Sequence, residues 1–431
     1  MGKNRRHKAA AQARRTAADH GPEFAALMDA ATAAEPAHAI LMGALESSRG
    51  NTRAARHFAD ALIRDGVFTP ILEEGAQEAA LQVLAAVYKN GWLPEDIHQA
   101  AARNLDAFAV GYLTDMMAVH IAHFAPDTID PTWQVQLEQL GATRWWSTGD
   151  PHLRQWAAKQ LLIPAEALTT VVEAVGLLFR LPKMQLIRPL PGDARPHAVS
   201  HHAVDEKVLG KVRGLLAKAE STAFPEEAET LSAKAQELMT KYAIDRVLLD
   251  ADARDPDLPG ARRLWLETPY VDAKALLVDV VAQANRCRAI FSAEWGFVAI
   301  VGDDADLDAV ELLTTSLLVQ ATRAMIASGN DAARSAEARS RSFRKSFLIA
   351  YATRIGERLA LANEATIAKS AEPERLLPVL ASHQLAVDNA FDTLFPTVKS
   401  SRISAGSAEG WQAGQAAADR AQLGARRPID R

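Results

Sequence analysis

The chain has one cysteine, Cys287, in 431 residues. That scarcity excludes an internal disulfide framework and a zinc site built from several thiolates, and it fits a reducing cytoplasm. No uninterrupted apolar run approaches the roughly 20 residues that cross a bilayer, so no membrane partner is expected. The basic start, MGKNRRHKAAAQARR, runs into Thr16 to Pro22 and so lacks the apolar core of a signal peptide. Neither sign of charge dominates. The formal net charge of −5 argues against a bulk polyelectrolyte binder but leaves room for a local basic face. A Gly-x-Ser-x-Gly elbow, a dinucleotide fingerprint and a His-Glu-x-x-His string are all missing, so no cofactor is expected and catalysis has no motif behind it. A fixed-period repeat is missing too, which argues against a regular solenoid.

What is present is ample material for cores: 48% hydrophobic and 23% charged residues, over a length that suits about three domains. After a basic terminus (1–33), the segment 34–187 reads as a helical bundle. Ile40, Leu41, Ala44 and Leu45, then Phe58, Leu62 and Ile63, recur at helical spacing. Pro70 to Lys89 forms another helix ending at Asn90 and Gly91, and a long one runs from Pro94 toward Phe124. Pro131 to Leu140 and Pro164 to Phe179 supply two more, flanking the irregular GATRWWSTGDPH. Pro-, Gly- and His-rich residues 188–204 read as a linker.

Residues 205–250 read as two amphipathic helices meeting at Pro225. Val208, Val212, Leu215, Leu216 and Ala219 form one apolar stripe, with Lys207, Lys211, Arg213 and Lys218 off it. Helices this short are marginal alone, so both stripes must pack on something. LGKVRGLLAKAEST, PEEAE and AKAQELMTKYAID in this segment resemble the bacterial and phage family named domain of unknown function 2786. NGWLPEDIH and TWQVQLEQLGATRWW resemble segments that precede the hairpin in actinobacterial members. The resemblance implies relatives and no activity.

A second linker is expected over 251–263, then an α+β domain over 264–426. Cys287 to Ala293 and Phe297 to Val301 read as a two-stranded hairpin, followed by helices from Asp304 to about Ser328 and from about Asp331 to Asn363. The whole is expected to be mainly α. RSFRKSFLIAYATRIGERL and LFPTVKSSR resemble the uncharacterised partner domain that often follows the hairpin in the family. Near the end, Gly406, Gly410, Gly414 and Ala418 are spaced by four, which gives a helix one nearly bare side for close backbone packing. A P-loop is excluded there because Gln415 follows Gly414 where Lys is required.

Asp303, Asp304, Asp306 and Asp308 are the candidate metal ligands, although a capped helix start uses the same letters. His120 and His123 with Asp115, and the linker set His197, His201, His202, Asp205 and Glu206, are weaker clusters without a matching motif. Cys287 between Arg286 and Arg288 reads either as a buried thiol or as an activated one. Arg334, Arg339, Arg341, Arg344 and Lys345 cluster within about three turns, interleaved with Phe343 and Phe347. The expectation is a non-catalytic cytoplasmic binding protein contacting nucleic acid through Lys207, Lys211, Arg213, Lys218, Arg341, Arg344 and Lys345. Two alternatives stay open: a metal-dependent hydrolase or nuclease using the acidic cluster, and a scaffold for a protein partner.

Overall fold

The computed structural model describes residues 35–51, 53–63, 66–194, 202–221, 231, 234–242, 259–331, 340–368, 373–396 and 404–420. They fall in two units, Met1–His197 and Ala198–Arg431. The first contains α1 (Glu35–Ser48), α2 (Ala54–Leu62), α3 (Pro70–Lys89), α4 (Pro94–Asn104), α5 (Ala107–Ile121), α6 (Pro131–Gln139), α7 (His152–Gln160) and α8 (Pro164–Leu178). Four of these begin on proline, whose missing N–H would lack a helical partner at that position anyway. Apolar α8 packs against α1, α2, α3 and α5 and is buried along most of its length. Among the described residues no single helix is long and apolar enough to cross a membrane.

The single long helix expected from Pro94 is two. Leu105 turns extended, and Asp106 caps the new helix by accepting from Ala109 N at 2.9 Å. The GATRWWSTGDPH stretch closes back on α5 through a polar knot around buried Asp115 and His152. His152 Nε2 lies 2.8 Å from Asp115 Oδ2, and Trp145 Nε1 donates to both Asp115 oxygens at 3.0 Å. The Trp146 and His152 rings are 4.4 Å apart. Removing the shared acceptor leaves buried His152 unpaired and takes a hydrogen bond from exposed Trp145, so Asp115→Ala is expected to cost about 2–4 kcal/mol. Thermal melts should show a loss of roughly 5–15 °C, with Asp115→Asn milder because it keeps an acceptor for Trp145.

The second unit holds α9 (His202–Ser221), helical residues 234–242 as α10, β1 (Gly260–Trp265), α11 (Val271–Ala284), β2 (Arg288–Ser292), β3 (Phe297–Gly302), α12 (Asp304–Asp331), α13 (Arg341–Ala368), α14 (Pro373–Leu394) and α15 (Ala408–Arg420). Where a linker and a two-stranded hairpin were expected, β1 adds a third strand. The sheet is antiparallel in the order β1-β3-β2, with Arg263 opposite Ala299 and Ile290 opposite the same residue from the other side. All six residues of the central β3 are buried.

The hairpin stripe packs into this unit's main core: Val212, Leu216, Ala235 and Met239 join Val278, Val298, Leu313 and Phe347. A polar stitch fixes α10 as well. Gln236 and Thr240 both bond Asn363 Oδ1, at 3.3 and 3.1 Å, and Asn363 donates to the Ala284 carbonyl at 2.5 Å. The corner at Pro225 lies outside the described residues.

Candidate nucleic-acid interface

Three of the seven expected contact residues line one groove. Its walls are the start of α11, the β2–β3 turn and the first turn of α13, and its volume is about 970 Å³. Arg341 and Arg344 are three apart on α13, so they share a side of the helix, and both are exposed. Ser340 caps that helix, its Oγ accepting from Phe343 N at 3.0 Å. Lys345 lines the groove as an ion pair, its Nζ 2.5 Å from Asp272 Oδ2. Among the described residues, the positive charge on the rim without an ion-pair partner therefore comes from Arg341 and Arg344.

The groove also receives two helix N-termini, those of α11 and α13, whose first-turn N–H groups and dipoles favour an anion. Tyr270, just before α11, has φ 66° and ψ 37°, a left-handed conformation that a bulky residue rarely adopts. Tyr270 and half-buried Phe291 of β2 line the groove with aromatic surface.

These are not the aromatics the sequence pointed to. Phe343 and Phe347, interleaved with the basic residues, are 1% and 0% exposed and belong to the core. Helical periodicity separates them from Arg341 and Arg344, whereas Tyr270 and Phe291 arrive from 50 or more residues away and carry no local signal. Arg334 and Arg339 lie outside the described residues. Lys207, Lys211, Arg213 and Lys218 are exposed on α9, which packs on α12 and is not part of the groove wall.

The acidic run divides. Donor atoms of Asp303, Asp306 and His383 lie within 4.8 Å of one another, a spacing that one cation can bridge. Asp308 instead pairs with Arg262 at 2.7 Å, and Asp304 is exposed. Within the cluster Arg286 already grips both Asp306 oxygens, at 2.5 and 3.1 Å, while His383 Nε2 is 2.5 Å from Asp303 Oδ2. A metal ion there would share Asp306 with that guanidinium or displace it. Sequence reasoning missed His383 because 80 residues separate it from Asp303.

The hydrogen bond to Asp303 raises the His383 pKa, burial opposes it, and the Asp303 and Asp306 charges add to the rise. A raised folded pKa stabilises fully below the ordinary value of 6.5 and is lost as pH climbs through the folded value. The urea midpoint of the native chain should therefore fall, as pH rises above the ordinary histidine value of 6.5, more steeply than that of His383→Gln.

Cys287 is buried beneath Gly302, and burial, reinforced by Asp306, pushes its thiol well above the usual range. This is the environment of an inert thiol. His120 is lowered to about 4 by burial and by His123, and Asp115 pairs with His152 instead of either. The linker histidine set lies outside the residues whose side chains are described.

No curated protein and no solved structure matches the chain. The model of a family described as "Protein of unknown function (DUF2786)" matches residues 207–246, so the α9–α10 segment is similar to that family.

Proposed function

We propose that this protein binds nucleic acid without acting on it, through the groove between α11, the β2–β3 turn and α13. The observation that carries the reading is the convergence of Arg341 and Arg344 with two helix N-termini and two aromatic rings in one concavity. Guanidinium groups and helix-start N–H groups recognise phosphate, and aromatic rings recognise bases. The exposed cations of α9 extend the basic surface available to a long polyanion. A cytoplasmic setting suits a chain whose single thiol is reduced and buried. That the region after the hairpin is the partner domain that often follows it in the family, in an actinobacterial-type protein, belongs to the same proposal and rests on RSFRKSFLIAYATRIGERL and LFPTVKSSR.

Purification at low salt should yield protein with an elevated ratio of nucleic-acid to protein absorbance, and the excess should disappear on washing at about 0.5 M salt. Absence of any salt-dependent retention would sink the proposal. The Asp303, Asp306 and His383 spacing favours a second reading, metal-dependent hydrolysis. Bound metal by elemental analysis, with divalent-dependent cleavage of the retained nucleic acid, would favour that reading over simple binding.

A further inference from the structure

We propose that the groove takes single-stranded nucleic acid in preference to duplex, with Tyr270 and Phe291 as the surfaces on which its bases stack. This rests on the nucleic-acid reading above and narrows it to a substrate class.

Shape is the first argument. Proteins that read a duplex push a convex element, a helix or a two-stranded ribbon, into the major groove. Here the charged and aromatic side chains line a concavity, with the β2–β3 turn and two helix starts as its walls. In a duplex the base faces are stacked on one another and cannot enter such a space. A single strand can turn them outward.

Chemistry is the second. Phosphate binding alone needs cations and N–H donors, and the groove has these in Arg341, Arg344 and the starts of α11 and α13. It does not need aromatic surface, which costs something to leave in water. Yet Tyr270 and Phe291 are only half-buried, and Tyr270 stands on a left-handed backbone. A basic rim around rings that keep one part open to solvent is the arrangement that binds single strands with little sequence preference, because every base offers a π-face. The volume of about 970 Å³ lies at the upper end of the roughly 300–1,000 Å³ of small-ligand pockets, which leaves room for more than a single base.

The test uses the full chain and fluorescence anisotropy at about 50 mM salt. The probes are a thymidine oligonucleotide of about 12 residues, a duplex of equal length and an abasic phosphodiester chain of equal charge. The thymidine strand should bind at least about tenfold tighter than either of the others. Phe291→Ala should lose about tenfold on the thymidine strand and nothing on the abasic chain. A uridine ribonucleotide strand that binds in place of the thymidine strand supports the same conclusion and identifies RNA as the ligand. If the duplex or the abasic chain binds as tightly as the thymidine strand, stacking is overturned while the nucleic-acid reading survives. If no probe binds, both fall together. The abasic comparison uses the unaltered protein, so it holds even if a variant fails to fold.

Discussion

Changing Arg341 and Arg344 together to glutamate is expected to weaken nucleic-acid binding about 100-fold at roughly 0.1 M salt. Each phosphate contact on a single strand is worth roughly 0.7 log units per tenfold change in salt, so losing two costs about 1.4 log units against a 1 M reference. Two new carboxylates at the same positions add repulsion of about 0.6 log units, which brings the total to about 2. Both arginines are exposed, so folding stability should move by no more than about 0.5 kcal/mol. The slope of log affinity against log salt should flatten by about 1.4. Asp272→Asn acts in the opposite direction. It frees Lys345 from its 2.5 Å ion pair and should tighten binding several-fold. Reversal of Lys207 and Lys211 on α9, outside the groove wall, should cost less than about tenfold.

The second large effect concerns stability. On an exposed helix, Gly→Ala gains about 1 kcal/mol of propensity. At Gly410 and Gly414 of α15 the sign should invert. A Cβ at Gly410 would collide with the Phe343 carbonyl, and one at Gly414 with the Phe347 carbonyl and, at 3.0 Å, with Ala350 Cβ. Backbone cannot give way as a flexible side chain can, so overpacking exceeds propensity and each alanine should cost about 2–3 kcal/mol net. Valine should cost more.

The close approach is stitched by other contacts as well. Ser346 Oγ accepts from Gly406 N and Ser407 N, both at 3.0 Å, and Arg354 Nε is 2.5 Å from Asp419. Melts should drop by roughly 5–10 °C per alanine substitution. Gly406→Ala should be milder, because a Cβ there meets only the Ser342 hydroxyl. Since α13 also carries Arg341 and Arg344, loosening α15 should weaken binding too.

Features written into short stretches of sequence were legible. Proline at helix starts, a continuous apolar run for β3 and glycines spaced by four each express one local rule, and the structure has the corresponding elements. The break at Leu105 and Asp106 was not legible, because no Pro or Gly marks it and Asp106 has to act as a cap to reveal it. Strand β1 was hidden because Pro256, Pro259 and Gly260 lead into it and its pairing partner lies about 40 residues downstream.

The candidate site divides along the same line. Arg341, Arg344 and Lys345 sit within one turn of a helix and could be read directly. Tyr270, Phe291 and Asp272 reach them only through tertiary packing, as does His383 in reaching Asp303. Phe343 and Phe347, four apart, share a side of α13 away from Arg341, and the fold buries both. The basic run therefore supplies cations that line the groove, whereas the rings that line it come from distant segments.

The most direct test is to locate bound nucleic acid on the protein. A thiothymidine-containing strand, photo-crosslinked to the full chain and mapped by peptide mass spectrometry, should attach at Tyr270, at Phe291 or within the Arg341 to Lys345 turn. Cross-links confined to α9, or to the first unit, would contradict the groove as the binding site.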